Sequence, residues 1–154
     1  MERVVITGMG VISPLGFSLD DYWSALECGR SGIGPLTRFD NTDYRTTIAA
    51  EEKGFDGADY LDAKDARRLP PFIQYAVAAA GLALEDGVLP RGSFDPNRGG
   101  VIVGSGIGGL DIIEAQHEIL RTKGPKRVSP FFVPHEIINM APGNQPISPG
   151  KNLG

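Results

Sequence analysis

An α/β fold with a parallel sheet is the architecture this sequence predicts, and three observations predict it. Two short apolar runs rich in β-branched residues, 3–7 and 99–104, have the composition of buried strands. Segments with helical periodicity follow each run. The glycines, 21 in 154 residues, cluster at 8–16 and 99–109, beside the two runs. Strand–turn–helix alternation is the pattern of α/β folds, and glycine turns at strand ends are where such folds build sites.

Taken in order, residues 3–7 (RVVIT) form the first predicted strand, ended by Gly8-Met9-Gly10. Residues 19–28 read as a helix. Ser18 can cap it, Asp20 and Asp21 suit its first turn, and Gly29 stops it. Leu19, Tyr22, Trp23 and Leu26 recur at helical spacing. Residues 31–62 are irregular, with one short strand expected near 46–50, and 60–68 reads as a short charged helix. Pro70-Pro71 opens a stronger helix over 72–86, ended by Gly87, since proline costs little at a helix start. Its face is apolar nearly all round, which predicts burial. Residues 99–104 (GGVIVG) form the second predicted strand. Residues 110–123 form an amphipathic helix with Leu110, Ile113 and Leu120 on one side, stopped by Gly124-Pro125. A further helix could start in 134–140, but Pro142, Pro146 and Pro149 would break it.

Composition narrows the function. The hydrophobic fraction is 41% and the charged fraction 22%, values ordinary for soluble globular chains. A net charge of −4 argues against general nucleic-acid binding, which needs a basic surface. One cysteine, Cys28, excludes an internal disulfide framework and a cysteine-rich zinc site. The N-terminus lacks the long apolar stretch of a signal peptide, and no apolar run reaches the ~18 residues of a membrane span. The expected location is the cytoplasm, with no membrane or nucleic-acid partner.

Each motif has a plain structural reading beside the chemical one. Gly104-Ser105-Gly106-Ile107-Gly108-Gly109 fits the G-x-G-x-x-G dinucleotide fingerprint between a strand and a helix. The fingerprint also needs an acid about 20 residues on, where Val128-Ser129-Pro130-Phe131-Phe132 stands instead. A tight strand–helix turn is the better reading. Cys28 falls at a helix C-terminus, whereas reactive thiols favour helix N-termini, so a structural role is expected. His117 and His135 are isolated, so no metal is expected. Lys64, Arg67 and Arg68 form a small basic face, in itself no more than a solvated surface. Physical reasoning from the residues therefore reaches an α/β domain with two glycine turns and no catalytic set.

The motifs as strings say more. Residues 3–16 (RVVITGMGVISPLG) resemble the opening of the β-ketoacyl synthases, above all the type II enzyme of bacterial fatty-acid synthesis. So do Ser31-Gly32-Ile33, Thr37-Arg38-Phe39-Asp40, Lys64 with Arg67-Arg68, and Phe72-Ile73-Gln74-Tyr75-Ala76. The resemblance continues through 104–109 (GSGIGG), 129–134 (SPFFVP) and Asn139-Met140, in order and at matching spacing over residues 3–140. It implies the N-terminal part of a thiolase-like, α-β-α-β-α layered fold, and a homodimer. It also implies a condensing reaction without cofactor or metal, acting on fatty acyl and malonyl thioesters of acyl carrier protein. In the family, the catalytic cysteine and two histidines lie beyond the position of Gly154, so this chain is expected to be inactive alone. Ile107 matches a residue at the mouth of the acyl pocket, and Phe132 one that reaches the partner subunit's pocket. Lys64, Arg67 and Arg68 match a basic patch that docks the carrier protein. Leu69-Pro70-Pro71 and the Pro/Gly-rich tail, residues 141–154, depart from the family pattern. Residues 1–140 are accordingly expected to form an incomplete half of the fold, marginal in isolation.

Overall fold

The computed structural model describes residues 3–89, 93, 95 and 97–144. Among the described residues there are six α-helices: α1 (Leu19–Glu27), α2 (Ala63–Arg68), α3 (Pro71–Asp86), α4 (Leu110–Lys123), α5 (Phe132–Glu136) and α6 (Met140–Gly143). Two short strands, β1 (Gly34–Pro35) and β2 (Ile48–Ala49), pair antiparallel with Gly34 opposite Ala49.

The helix ends follow local chemistry. Ser18 Oγ accepts the Asp21 amide at 3.1 Å and caps α1. Gly29, at φ +64°, closes the other end with two bonds, Gly29 N–H to Leu26 O and Arg30 N–H to Ala25 O. That pair of bonds is the Schellman arrangement, which a glycine adopts without a Cβ penalty. The end of α3 departs from this rule. The same pattern recurs in Val88 N–H to Glu85 O and Leu89 N–H to Leu84 O, so the positive φ of +50° falls on Val88, one residue past Gly87. Gly87 is needed for closeness instead: a Cβ there would lie 2.9 Å from the carbonyl oxygen of Thr7. Gly8 and Gly10 make the matching approach, since a Cβ on either would fall on the carbonyl oxygens of Ala83 and Ala79. The first glycine cluster thus seats the backbone of 8–10 directly on α3. Pro142 stands inside α6 rather than breaking it, because in a first turn its missing N–H has no partner to lose.

The core is small and centred on α3. Leu61, Ile73, Val77 and Ala141 are buried together, with Tyr60, Leu69, Phe72, Val103 and Met140 packed around them. An aromatic chain flanks it, with Phe55 edge-on to Phe17 and Tyr75 and stacked on Tyr60. A polar knot ties the 31–52 excursion to α3. Arg38 pairs with Glu52, and the Tyr75 hydroxyl accepts from Arg38 at 3.2 Å and donates to Glu52. Desolvation first, then the Glu52 contact, raises the Tyr75 pKa and keeps the phenol protonated.

Three expectations need correction. Residues 3–7 and 99–104 are not strands; they are extended but carry no ladder, and no parallel pair exists among the described residues. The reason is physical: a strand is made by its neighbour's backbone, and among the described residues no strand pairs with these segments. Val4, Ile6 and Ile102 are 94%, 82% and 99% exposed. Second, α3 is apolar nearly all round yet only Ile73, Val77 and Ala78 are buried, while Phe72 and residues 79–84 are half-covered, in part by the backbone of Gly8 and Gly10. Third, Cys28 is exposed and adds nothing to the core. The accessible surface totals 11306 Å², against about 7,500 Å² for a compact monomer of this mass. The tail from 145 onward lies outside the described residues.

Candidate functional site

Lys64, Arg67 and Arg68 all sit on α2, at i, i+3 and i+4, so their stems leave one side of the helix. All three are exposed, and none forms an ion pair among the described residues. The helix beneath them is firmly held. Asp62 caps it, accepting the amides of Lys64 and Asp65 at 2.9 and 2.8 Å. At the other end, Gln74 of α3 donates its amide to the carbonyls of Ala66 and Leu69, at 3.0 and 2.6 Å. Those last-turn carbonyls would otherwise lack partners. Arg67 and Arg68 stand in the last turn, where the helix dipole favours cations. Gln74 is a residue that sequence reasoning did not single out. Its signal was there, as a lone amide on an otherwise apolar face.

Ile107 and Phe132 belong to neighbouring segments. Ile107 stands in the loop that leads into α4 and is 61% exposed, its carbonyl oxygen accepting from Ser105 Oγ at 2.8 Å. Phe132 opens α5 and is half-buried. The two segments meet through backbone: Gly109 N–H donates to Glu136 O at 3.0 Å, and a Cβ on Gly109 would lie 2.5 Å from His135 O. A Cβ on Gly108 would fall on the carbonyl oxygen of Glu136. Gln116 of α4 adds a further tie, accepting the Ser129 amide at 2.8 Å ahead of α5.

This contact also disposes of the dinucleotide reading. A pyrophosphate would sit on the N-terminus of α4, but the Gly109 amide there is already bonded to a carbonyl of α5. Carbonyl oxygens crowding that turn would repel a phosphate. The glycines serve close backbone packing.

The basic face and the second segment are joined. The Arg68 guanidinium lies over the Phe131 ring, 5.4 Å from its centroid. Phe131 in turn stacks on His135, with centroids 5.8 Å apart and planes 19° apart. No sequence periodicity points to such a pairing, because its partners lie on different elements. His117 is exposed on α4, away from this cluster in the chain, and Cys28 sits at the C-cap of α1.

Comparison with known proteins decides the lineage. Residues 1–148 match the family described as beta-ketoacyl synthase, N-terminal domain. The chain belongs to the beta-ketoacyl synthase family. It is 49% identical over 149 residues to the 3-oxoacyl-[acyl-carrier-protein] synthase 2 of Vibrio cholerae, covering 97% of this chain and 36% of that protein. The Coxiella burnetii protein of the same name is 50% identical over 142 residues, covering 92% of this chain and 34% of its own. Among solved structures, a beta-ketoacyl synthase from Burkholderia phymatum superposes with a TM-score of 0.75 at 31% identity, over 94% of this chain and 36% of that one. A type II PKS acyl-carrier protein in complex with its ketosynthase superposes at 0.72 and 27% identity, over 93% and 37%. The path of the chain is therefore that of the N-terminal part of the thiolase-like α/β fold. The chain spans about a third of the length of the curated relatives it matches. Among the described residues, no helix is long and apolar enough to cross a membrane.

Proposed function

We propose that the complete protein is a condensing enzyme of fatty-acid synthesis, and that this segment supplies its carrier-docking face and part of its acyl pocket. The observation that carries this reading is the collinear 49% identity to a 3-oxoacyl-[acyl-carrier-protein] synthase 2. In the reaction so assigned, an acyl group passes from carrier protein to a cysteine thiolate, releasing the carrier thiol. Malonyl-acyl carrier protein then loses carbon dioxide, and its carbanion attacks the acyl thioester and expels the cysteine. No cofactor takes part. The assigned assembly is a homodimer in the cytoplasm, with Phe132 reaching the partner subunit's acyl pocket and Ile107 at the pocket mouth.

Lys64, Arg67 and Arg68 dock the acidic carrier protein. Their uniform charge, exposure and anchored helix suit that role, and a solved relative is a ketosynthase in complex with its acyl-carrier protein. Titration of the chain with acyl carrier protein tests it. Binding should weaken with salt, since exposed charges are screened over about 8–10 Å near physiological ionic strength. The Arg67→Glu/Arg68→Glu double variant should abolish it, and unchanged titration shifts would refute the role.

Among the described residues, no nucleophile–base pair suits this chemistry. Cys28 stands at the C-cap of α1 and lacks the helix N-terminus that reactive thiols favour. His135 is occupied in an aromatic stack. The present chain therefore acts as a noncatalytic binding segment. Incubation with acyl-acyl carrier protein should leave its intact mass unchanged; an acyl adduct mapped to Cys28 would overturn this.

A further inference from the structure

We propose that Phe131 is a positioning residue for docking, holding the Arg68 guanidinium so that its edge faces the incoming carboxylate. The inference rests on the docking role given to Arg68 above, and adds to it a residue from a separate part of the chain.

Gripping a partner with an arginine has an entropic cost. A long exposed side chain loses rotamer freedom when it grips a partner. Lys64 and Arg67 meet that loss in full, having no ion pair among the described residues. Arg68 does not, because its guanidinium already rests over the Phe131 ring at 5.4 Å. Arginine commonly meets an aromatic ring through the guanidinium face. The N–H donors lie in its plane and stay available for a bidentate grip on a carboxylate. Stacking and carrier binding are therefore compatible, and the first prepares the second.

The ring is itself held. Phe131 stacks on His135, its amide donates to Ser129 Oγ at 3.1 Å, and Ser129 is tied to Gln116 of α4. On the other side, Gln74 fixes the last turn of α2, from which Arg68 extends. Both partners of the stack thus rise from anchored backbone, although Phe131 is 50% exposed. An exposed aromatic in that place has no core to fill, and the guanidinium is its polar neighbour.

The partner so recognised is a carboxylate-bearing surface, and the planar fork distinguishes arginine from lysine at this position. Arg68→Lys keeps the charge but loses the planar stack and the two-pronged grip.

The test is a double-mutant cycle on the chain titrated with acyl carrier protein. Phe131→Leu, which keeps bulk and lacks the ring quadrupole, should weaken binding by about 2- to 5-fold. Phe131→Tyr should restore it. In an Arg68→Ala background, Phe131→Leu should have no further effect. Ring-current shifts of the Arg68 side-chain resonances, present in the unaltered chain and lost in Phe131→Leu, report the stack directly. Wild-type binding in Phe131→Leu, or losses that simply multiply, would overturn the positioning role, while the charge-reversed double variant separately decides the docking role. If charge reversal leaves binding intact, the docking reading falls and this inference falls with it.

Discussion

Ile73 on α3 is fully buried, while Ile102 in the extended segment 99–104 is 99% exposed. The two residues are chemically identical and the chain treats them in opposite ways. The α2–α3 corner is built from elements that close their own backbone hydrogen bonds. It needs only a few side-chain ties, from Asp62 and Gln74, to finish the ends. Residues 3–7 and 99–104 have the composition of strands, but a strand closes its hydrogen bonds only on another backbone. A helix therefore forms on its own residues, whereas a strand run becomes a strand only where a second backbone lies beside it, as β2 lies beside β1. The contrast is graded: Val103 still packs on the α3 core, whereas Val4 and Ile6 are exposed at 94% and 82%.

Truncating the two isoleucines should separate the two regions most strongly. Ile73→Ala should cost about 2–5 kcal/mol, a buried-cavity value, and should remove most of the cooperative unfolding signal. Ile102→Ala should stay within about 0.5 kcal/mol of the parent chain, as exposed substitutions do. Equal losses in chemical denaturation would mean that Ile102 is covered in solution. Next in size is Gln74→Ala, which strips partners from the Ala66 and Leu69 carbonyls. A loss of about 1–3 kcal/mol is expected, with hydrogen exchange rising in α2 more than in α4. The smallest effect concerns pH. The Thr37 hydroxyl first, then the Thr37 amide, hold the Glu51 carboxylate below its usual pKa. A depressed carboxylate stabilises the fold above its unfolded pKa, and that contribution fades as pH falls through the lower folded value. Glu51→Gln should therefore lower stability slightly at neutral pH, leave it unchanged at low pH, and so flatten the acid limb of the stability profile.

Helices were legible because their signals are local. Ser18, Gly29, Pro71 and Gly124 mark ends within a turn of where they stand, and α4 spans the residues that its periodicity marks out. The strand runs were legible as composition, but no sequence signal shows whether a partner strand will be present. The basic face of α2 could be read from spacing, and the identity of Ile107 and Phe132 only from resemblance. The Arg68–Phe131 stack was invisible, since it pairs an α2 side chain with one just ahead of α5. The glycines of 104–109 look like a phosphate loop in one dimension. Only the carbonyls of α5 behind Gly108 and Gly109 reveal them as a packing device.

The measurement that bears most directly on the unpartnered segments is light scattering of the purified chain across a concentration series, paired with chemical denaturation. Exposed strand backbone and apolar side chains drive association. The chain should therefore grow in mass with concentration, and placing lysine at Val4, Ile6 and Ile102 should reduce that growth. A concentration-independent monomer that unfolds cooperatively with about 5–15 kcal/mol of stability would contradict it, and would show that residues 3–7 and 99–104 are already satisfied within the chain.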